Sequence, residues 1–239
     1  MDTGSNLRKF QKTSDKKIVF FDLDGTLCKG LSQSYLVHHL FSKRKVTTGF
    51  LIIISIWAFL YQYGIFKNPE RIIKFACRIT KGWLVADLTR FIENFFNQRL
   101  VQMLYPELIT ILSKYQEEHH VTVLITNAIR PLAEVIGCRL DFDFVIATEL
   151  EIVDGIYTGL VSGDVIYGTA KAKAVRKFVQ NQVYSCELLA AYSDHISDLP
   201  LLEMVQNPVA VNPDPMLRKI ARDRKWNVLD CNKKIASKK

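Results

Sequence analysis

The chain has 239 residues, of which 49% are hydrophobic and 23% are charged. These proportions are typical of a globular protein and exclude an intrinsically disordered chain. The length suits one large domain, or one domain with an insertion, that folds without disulfide or metal staples. The five cysteines, at positions 28, 77, 138, 186 and 231, form no CxxC pair, which argues against a disulfide framework or a zinc site and favours a reducing cytoplasm.

The chain begins with a polar segment that leads into a strand. Residues 1–17 lack the apolar core of a signal peptide and are expected to be a solvated lead-in. Residues 17–22, KIVFFD, are rich in strand formers and predict a first strand. From about residue 30 to residue 104 the periodicity is helical, without strand-like alternation. We therefore predict a helical insertion after the first strand, with one helix starting at Asn68-Pro69-Glu70.

After Pro106, which begins a further helix, strands and helices alternate along the chain. Such alternation predicts an α/β fold with a Rossmann-like parallel sheet and helices on both faces. Asp154-Gly155 lies between two apolar pairs and predicts a hairpin turn, and the lysine-rich tail at 233–239 reads as a frayed terminus. The predicted strands are 121–126, 144–150, 188–194, 209–212 and 228–229, and the predicted helices between them are 171–180 and 216–225.

The net charge of +8 is concentrated in the insertion. Eight basic residues and one acidic residue lie between positions 43 and 81, which gives this window +7 and leaves +1 for the rest of the chain. Inside the window, residues 46–66 form the only long uncharged run, VTTGFLIIISIWAFLYQYGIF. As a helix this run would be roughly 30 Å long, about the thickness of a bilayer's hydrocarbon core. Anionic lipid headgroups attract basic clusters of this kind.

The apolar run has several structural interpretations. A single crossing of the membrane is excluded, because it would separate the first strand from the rest of the sheet. The remaining possibilities are a re-entrant hairpin bent near Ser55, a helix lying in the membrane interface, or a helix buried between domains or at a dimer interface. Nucleic acid is not expected as a partner, since no interleaved basic and aromatic groove pattern occurs.

Polar residues follow several of the predicted strands. In open α/β sheets, reactive groups collect at the carboxyl ends of the strands. The strand ends, together with the helix that starts after Gly168, are therefore expected to bring together Asp22, Asp24, Thr126, Asn127, Lys171, Asp194 and Asp198.

These carboxylates predict a magnesium site, because several of them on one sheet edge are costly without a cation, and Mg²⁺ prefers oxygen ligands. We expect Asp22 and Asp194 to bind the ion, with the backbone carbonyl of Asp24 as a third ligand. Asp22 could then attack a phosphorus atom and form an aspartyl-phosphate. Asp24 could protonate the leaving alkoxide and afterwards deprotonate the attacking water.

The other polar residues have supporting roles in this prediction. Thr126 could donate to a phosphoryl oxygen, Asn127 is expected to help bind the substrate, and Lys171 could bind the transferring group and neutralise its charge. Asp198 is expected just outside the ligand set, and Arg130 could contact a substrate anion or form a surface salt bridge. Lys173 could compete with Lys171, but the Gly-x-x-Lys spacing favours Lys171. His195 is interpreted as an exposed loop residue.

Four segments resemble the motifs of the haloacid dehalogenase superfamily of phosphatases, in order. They are DLDGTL at 22–27, LITNA ending at residue 128, YGTAK ending at Lys171, and YSDHISDLPLLE at 192–203. The resemblance implies a Mg²⁺-dependent phosphatase with a catalytic core at 1–29 and 105–239 and a helical C1 cap at 30–104. The chain departs from many relatives at Ser193, where they have glycine, and at Arg130, where they often have a small or polar residue.

Within this superfamily, the chain looks like the phosphoserine phosphatase branch, subfamily IB, and most like the phosphatidylglycerophosphate phosphatase C type. This implies hydrolysis of an anionic lipid phosphate by a protein held peripherally or monotopically at the cytoplasmic face of the membrane through its cap. A soluble phosphatase of a small phosphoserine-like metabolite is the alternative. Phosphotransfer to another acceptor and a non-catalytic lipid-surface protein also remain open, as do the oligomeric state and the pathway.

Overall fold

The computed structural model describes residues 16–62, 69–182 and 185–231, with the backbone alone for residues 57–62 and 69. Residues 1–15 of the predicted polar lead-in, the helix cap at Asn68 and the lysine-rich tail therefore lie outside the described residues, whereas Lys16 and Lys17 belong to the first strand. The last part of the apolar run, residues 63–66, also lies outside the described residues.

The core of the molecule is a parallel sheet of six strands in the order β3-β2-β1-β6-β7-β8. Each neighbouring pair in this sheet is parallel, so the predicted α/β fold is confirmed. The strands are β1 (Lys16–Phe21), β2 (Val121–Ile129), β3 (Phe144–Thr148), β6 (Cys186–Ser193), β7 (Asn207–Val211) and β8 (Asn227–Leu229).

The central position of β1 follows from its composition, since it must be buried on both faces. Ile18 and Phe20 belong to one apolar cluster, and Val19 and Phe21 belong to the other. All four side chains are fully buried, as expected for the middle strand of a sheet covered by helices on both sides.

The helices around the core include α5 (Pro106–Glu117) and α6 (Arg130–Arg139) before and after β2. Further along the chain, α7 (Thr169–Gln180) precedes β6, α8 (Leu199–Leu202) precedes β7, and α9 (Pro215–Asp223) precedes β8.

The predicted strand at 144–150 is wrong in its last part. β3 ends at Thr148, and Leu150 instead opens β4 (Leu150–Val153), which pairs with β5 (Ile156–Val161) in a separate antiparallel sheet. The predicted hairpin is present, and Asp154 and Gly155 both have positive φ, at 50° and 77°, which suits a tight turn between antiparallel strands.

The described part of the segment between β1 and β2 begins with helices, in agreement with the predicted helical insertion. They are α1 (Ser32–Ser42), α2 (Thr48–Gln62), α3 (Pro69–Ala76) and α4 (Val85–Gln98). In α4 the side chains of Leu88, Ile92 and Phe95 are spaced four and three residues apart and are completely or almost completely buried, so this helix places one apolar stripe on the core.

The β4–β5 hairpin binds the insertion through backbone hydrogen bonds. Gly82 N donates to Tyr157 O at 2.9 Å, Tyr157 N donates to Trp83 O at 2.9 Å, and Val85 N donates to Gly155 O at 3.0 Å. These three bonds fix the insertion beside the core at the start of α4.

The described part of the apolar run lies in α2, and its outer face is exposed. Ile52, Ile53 and Ile56 are 53%, 42% and 51% exposed, whereas Phe50 and Ile54 are half-buried. Residues 48–56 therefore do not form a helix that is buried within the monomer, which was one interpretation of the apolar run. In the part of the chain that the structure describes, no helix is both long and apolar enough to cross a membrane.

Candidate active site

The loop after β1 is the centre of the candidate site. β1 runs between β2 and β6, with Phe21 in register with Leu124 on one side and Tyr192 on the other. Asp22, the next residue, donates its backbone N–H to Tyr192 O at 3.0 Å. Its carboxyl group therefore lies at the carboxyl edge of the sheet, where the neighbouring strands deliver their own polar residues.

Lys171 is the buried cation of the site. Its Nζ lies 2.6 Å from Asp22 Oδ1 and 2.6 Å from Asp198 Oδ2, and the residue is only 3% exposed. Burial alone would lower the pKa of Lys171, but the attraction of Asp198 and Asp22 outweighs burial and raises that pKa. Lys171 is therefore held as an ammonium group between two carboxylates.

The competing lysine lies elsewhere. Lys173 Nζ pairs with Asp164 at 2.9 Å, and its side chain is 76% exposed. The structure thus brings Lys171, and not Lys173, to the carboxylates.

Asp198 is fixed from a second direction by Ser193. The Ser193 hydroxyl, which is fully buried, donates to Asp198 Oδ2 at 2.7 Å. This contact gives a physical reason for serine at a position where many members of the resembled superfamily have glycine: the hydroxyl orients the carboxylate that in turn holds Lys171.

Asp194 packs directly against the loop after β1. Gly25 has a φ of +79°, and a Cβ atom added to it would lie 2.0 Å from Asp194 Oδ2. Only glycine leaves room for this approach. Burial, followed by the charge of Asp22, raises the pKa of Asp194 to about 8. Burial is also the main reason that the pKa of Asp22 is raised to about 7, although Lys171 acts in the opposite direction.

Burial is the main cause of the raised pKa values of Asp22 and Asp194, and the charge of Asp22 adds to the rise at Asp194, so positive charge placed between them would favour the ionised form of both. A divalent cation would supply that charge, and with the backbone carbonyl of Asp24 the donors are all oxygen, as Mg²⁺ prefers. Within residues 16–62, 69–182 and 185–231, no group of three or more His, Cys, Asp or Glu side chains is arranged to hold a metal. The predicted magnesium site needs only the carboxylates of Asp22 and Asp194 and the backbone carbonyl of Asp24. All three donors are oxygen atoms, so these residues suit Mg²⁺.

Asp24 is held by the first residue of α1. Ser32, at the start of α1, donates its backbone N–H to Asp24 Oδ1 at 2.7 Å. Burial raises the pKa of Asp24, and the hydrogen bonding from Ser32 opposes that rise. A carboxyl group with a raised pKa and a fixed orientation is suited to giving and taking a proton.

Thr126 and Asn127 lie in β2, next to β1. Thr126 is fully buried, and its Oγ1 accepts a hydrogen bond from Ala128 N at 3.1 Å, which leaves the hydroxyl proton available. Asn127 Oδ1 accepts from Gln33 Nε2 at 3.3 Å, so this second polar residue is linked directly to α1.

Two other predicted residues are engaged differently. The Arg130 guanidinium pairs with Glu134 and Glu149, so of its two predicted roles the structure realises the salt bridge. His195 lies in a loop, as interpreted, but it is half-buried, with a side chain that is 44% exposed, and its Nδ1 lies 2.9 Å from Ser197 Oγ.

Sequence reasoning missed Asp214. Its Oδ1 accepts from Met216 N at 2.7 Å and from Leu217 N at 3.0 Å, capping α9. Its Oδ2 accepts from Ile196 N at 2.5 Å, and its backbone N donates to Asp194 O at 2.9 Å. Asp214 therefore fixes the loop that carries Asp194. The signal in the sequence was an acid directly before a proline at a helix start.

The family is identified by comparison with known proteins. Residues 19–203 match the profile of the haloacid dehalogenase-like hydrolases. The chain belongs to this family. The match begins within β1 and runs past Asp194 and Asp198, and so it includes the ends of β1, β2 and β6, which carry the residues of the candidate site.

Curated relatives agree with this assignment. The chain is 30% identical over 219 residues to the phosphoserine phosphatase SerB1 of Mycobacterium tuberculosis, covering 88% of this chain and 70% of that protein. It is 26% identical over 224 residues to a histidinol-phosphatase of Neisseria meningitidis, covering 90% of this chain and 99% of that protein. The prediction of an enzyme of this phosphatase-containing hydrolase family is confirmed.

Solved structures confirm the fold. A protein of unknown function from Bordetella pertussis superposes with a TM-score of 0.82 at 24% identity, covering 91% of this chain and 100% of that one. A phospho-aspartyl intermediate analogue of phosphoserine phosphatase superposes with a TM-score of 0.63 at 17% identity, covering 90% of this chain and 93% of that one.

Proposed function

We propose that the protein is a Mg²⁺-dependent phosphomonoester hydrolase that works through an aspartyl-phosphate at Asp22. The observation that carries this proposal is the Lys171 ammonium group, 2.6 Å from both Asp22 and Asp198, with Asp194 packed against the same loop. In this proposal the nucleophile, the cation and one metal ligand all lie at one edge of the sheet.

The reaction has two steps that use the same two aspartates. A carboxylate oxygen of Asp22 attacks phosphorus, the bond from phosphorus to the alkoxide breaks, and Asp24 gives its proton to the departing alkoxide. Asp24 then takes a proton from water, the water oxygen attacks phosphorus, and the bond to Asp22 breaks. The products are an alcohol and inorganic phosphate, and both aspartates return to their starting states.

The remaining residues stabilise charge during these steps. Lys171 neutralises the transferring phosphoryl group, and Thr126 donates its free hydroxyl proton to a phosphoryl oxygen. Mg²⁺, held by Asp22, Asp194 and the carbonyl of Asp24, supplies further neutralisation of the phosphate charge when bound. Arg130 has no part in this scheme, because two glutamates already occupy it.

For the substrate we infer an anionic lipid with a terminal phosphomonoester, phosphatidylglycerophosphate being the first choice, and assign residues 30–104 as a C1-type cap. The support is the exposed isoleucine face of α2, with three basic residues at 43–45 just before the helix, which suits a helix lying in the interface of an anionic membrane. A small soluble ester is the alternative, favoured by the similarity to a phosphoserine phosphatase and a histidinol-phosphatase.

The test is phosphate release with Mg²⁺ from phosphatidylglycerophosphate in mixed micelles, beside a panel of soluble phosphomonoesters, with Asp22→Asn as the blank. Lipid turnover well above the panel agrees with the lipid assignment, whereas turnover of a soluble ester alone contradicts it and leaves the chemistry standing. Turnover that survives in Asp22→Asn contradicts the proposed nucleophile. Adding a competing alcohol and analysing the products separates hydrolysis from phosphotransfer.

A further inference from the structure

Two cavities lie beside each other in the insertion, and they share no residue with the candidate active site. The larger, of about 570 Å³, is lined by Lys45, Lys81 and Arg90, together with Trp83 and Phe91. We call it the basic cavity. Lys45 Nζ stands 5.6 Å from the centre of the Trp83 ring, so one cation is held over an aromatic wall.

The lining of the basic cavity has a net positive charge. Its one acidic residue, Asp87, lies 3.8 Å from Arg90, and both side chains are more than half exposed. An exposed pair of this kind is weak, so it leaves Arg90 able to turn toward an anion. Lys45 and Lys81 have no acidic partner within the cavity lining.

The smaller cavity, of about 310 Å³, is mainly apolar and shares Lys45 with the basic cavity. Phe50, Phe75 and Ile79 contribute its apolar wall, and Arg78 is its second cation. We call it the apolar cavity. The rings of Phe50 and Phe75 are stacked 5.4 Å apart, which joins the start of α2 to α3.

The exposed face of α2 continues from the apolar cavity. Phe50 lines the cavity, and Ile52, Ile53 and Ile56 follow within the next two turns, each more than two-fifths exposed. A ligand that suits the whole surface must therefore carry an anionic group at one end and hydrocarbon at the other. A soluble anion would leave the apolar cavity and the isoleucines unused, and so would a nucleic acid backbone.

We propose that the two cavities form a binding site for an anionic phospholipid of the bilayer, separate from the site that binds the phosphate to be cleaved. The lipid phosphodiester lies in the basic cavity between Lys45, Lys81 and Arg90. The first carbons of its acyl chains lie in the apolar cavity, and the exposed isoleucines of α2 enter the membrane beside it. This inference rests on the lipid-surface part of the proposed function and adds the residues that dock the enzyme.

The experiment is co-sedimentation of the full chain, without detergent, with vesicles of phosphatidylcholine alone or mixed with phosphatidylglycerol. Replacing both Lys81 and Arg90 with alanine should weaken binding to the mixed vesicles roughly 30-fold, since each basic residue near an anionic surface contributes roughly fivefold. The matched control is the Lys219→Ala, Arg222→Ala double variant, which removes the same charge from exposed positions on α9 and should bind within roughly a few-fold of the parent.

The role of the exposed isoleucines of α2 is tested with a second double variant and its matched control. Ile52→Ser with Ile56→Ser should abolish most binding, whereas Val153→Ser with Leu160→Ser on the β4–β5 hairpin should leave binding unchanged. The four side chains are similarly exposed, at 53%, 51%, 54% and 54%, so the pairs differ in position rather than in lost apolar surface.

Three results would overturn the proposal: equal binding of the parent to both kinds of vesicle, equal loss in the Lys81/Arg90 and Lys219/Arg222 variants, or displacement of the protein from vesicles by inorganic phosphate at constant ionic strength. Hydrolysis of para-nitrophenyl phosphate is measured in the same samples. Parent-level hydrolysis with lost vesicle binding separates docking from catalysis. Vesicle binding that behaves as expected without any hydrolysis would refute the catalytic proposal alone.

Discussion

Asp198→Asn tests whether the site depends on Lys171 being held by two carboxylates at once. The substitution keeps the shape of the side chain but removes the charge from a group that lies 2.6 Å from Lys171 Nζ. The asparagine still offers a neutral amide oxygen, but Lys171 keeps only one carboxylate partner, Asp22, also at 2.6 Å, and is free to follow that carboxylate instead of standing between two.

The size of the effect follows from the bond that is lost. A hydrogen bond to a charged group contributes about 1.5–3 kcal/mol. If that contribution is needed to hold Lys171 in the transition state, kcat falls about 10- to 150-fold, because about 1.4 kcal/mol corresponds to a factor of ten. Ser193→Gly removes only the hydroxyl that orients Asp198, at 2.7 Å, and should cost about tenfold or less.

Initial rates of phosphate release over a range of substrate concentrations separate kcat from KM, and thermal melting checks that each variant is folded. Lys173→Ala is the control, since that lysine is 76% exposed and paired with Asp164, and its kcat should equal that of the parent. A folded Asp198→Asn variant whose kcat stays within about twofold of the parent would refute the reasoning.

Three further predictions concern the proposed metal ligands and the loops that hold them. Because the pKa values of Asp22 and Asp194 are raised to about 7 and 8, the metal-free folded protein binds more protons than the unfolded chain between about pH 4 and pH 8, and its stability should fall as pH rises through that window. Mg²⁺ bound by these two carboxylates would favour their ionised forms, so it should raise the melting temperature more at pH 8 than at pH 6, and an equal rise at both would count against these ligands. Gly25→Ala should abolish most activity, because its Cβ would meet Asp194, whereas Gly163→Ala, with a similar φ of +80° and open space around it, should lose stability but keep its kcat. Asp214→Ala should lower the free energy of unfolding in urea by about 1–2 kcal/mol, through loss of the α9 cap, and a variant as stable as the parent would contradict that role.

The sequence predicted the parts of the site that depend on local pattern. A strand of uninterrupted apolar residues had to be central, and so Asp22 had to stand at the carboxyl edge with Asp194 from a neighbouring strand. The choice between Lys171 and Lys173 also followed from spacing. The turn at Gly168 brings the first of these two lysines, and not the second, over the sheet.

The remaining features depend on contacts between distant segments, which no local pattern encodes. Ser32 reaches Asp24 only because α1 folds back over the loop after β1, and Gln33 reaches Asn127 for the same reason. The sequence also could not show that the predicted strand at 144–150 is divided between two sheets. An apolar residue such as Leu150 suits a strand of the parallel sheet and a strand of the antiparallel sheet equally well. The partner of Leu150 in the separate sheet, Val161, is set by the hairpin.

The central claim is that Asp22 carries the phosphoryl group, and borohydride trapping tests it most directly. The full chain is mixed with Mg²⁺ and a phosphomonoester that it turns over, quenched within milliseconds, reduced, and digested for peptide mass spectrometry. An acyl-phosphate is reduced to the alcohol, so phosphorylated Asp22 becomes homoserine. The account predicts homoserine at position 22 only when both substrate and Mg²⁺ are present. Homoserine at position 24 or 194, or rapid phosphate release with no trapped residue, would contradict it.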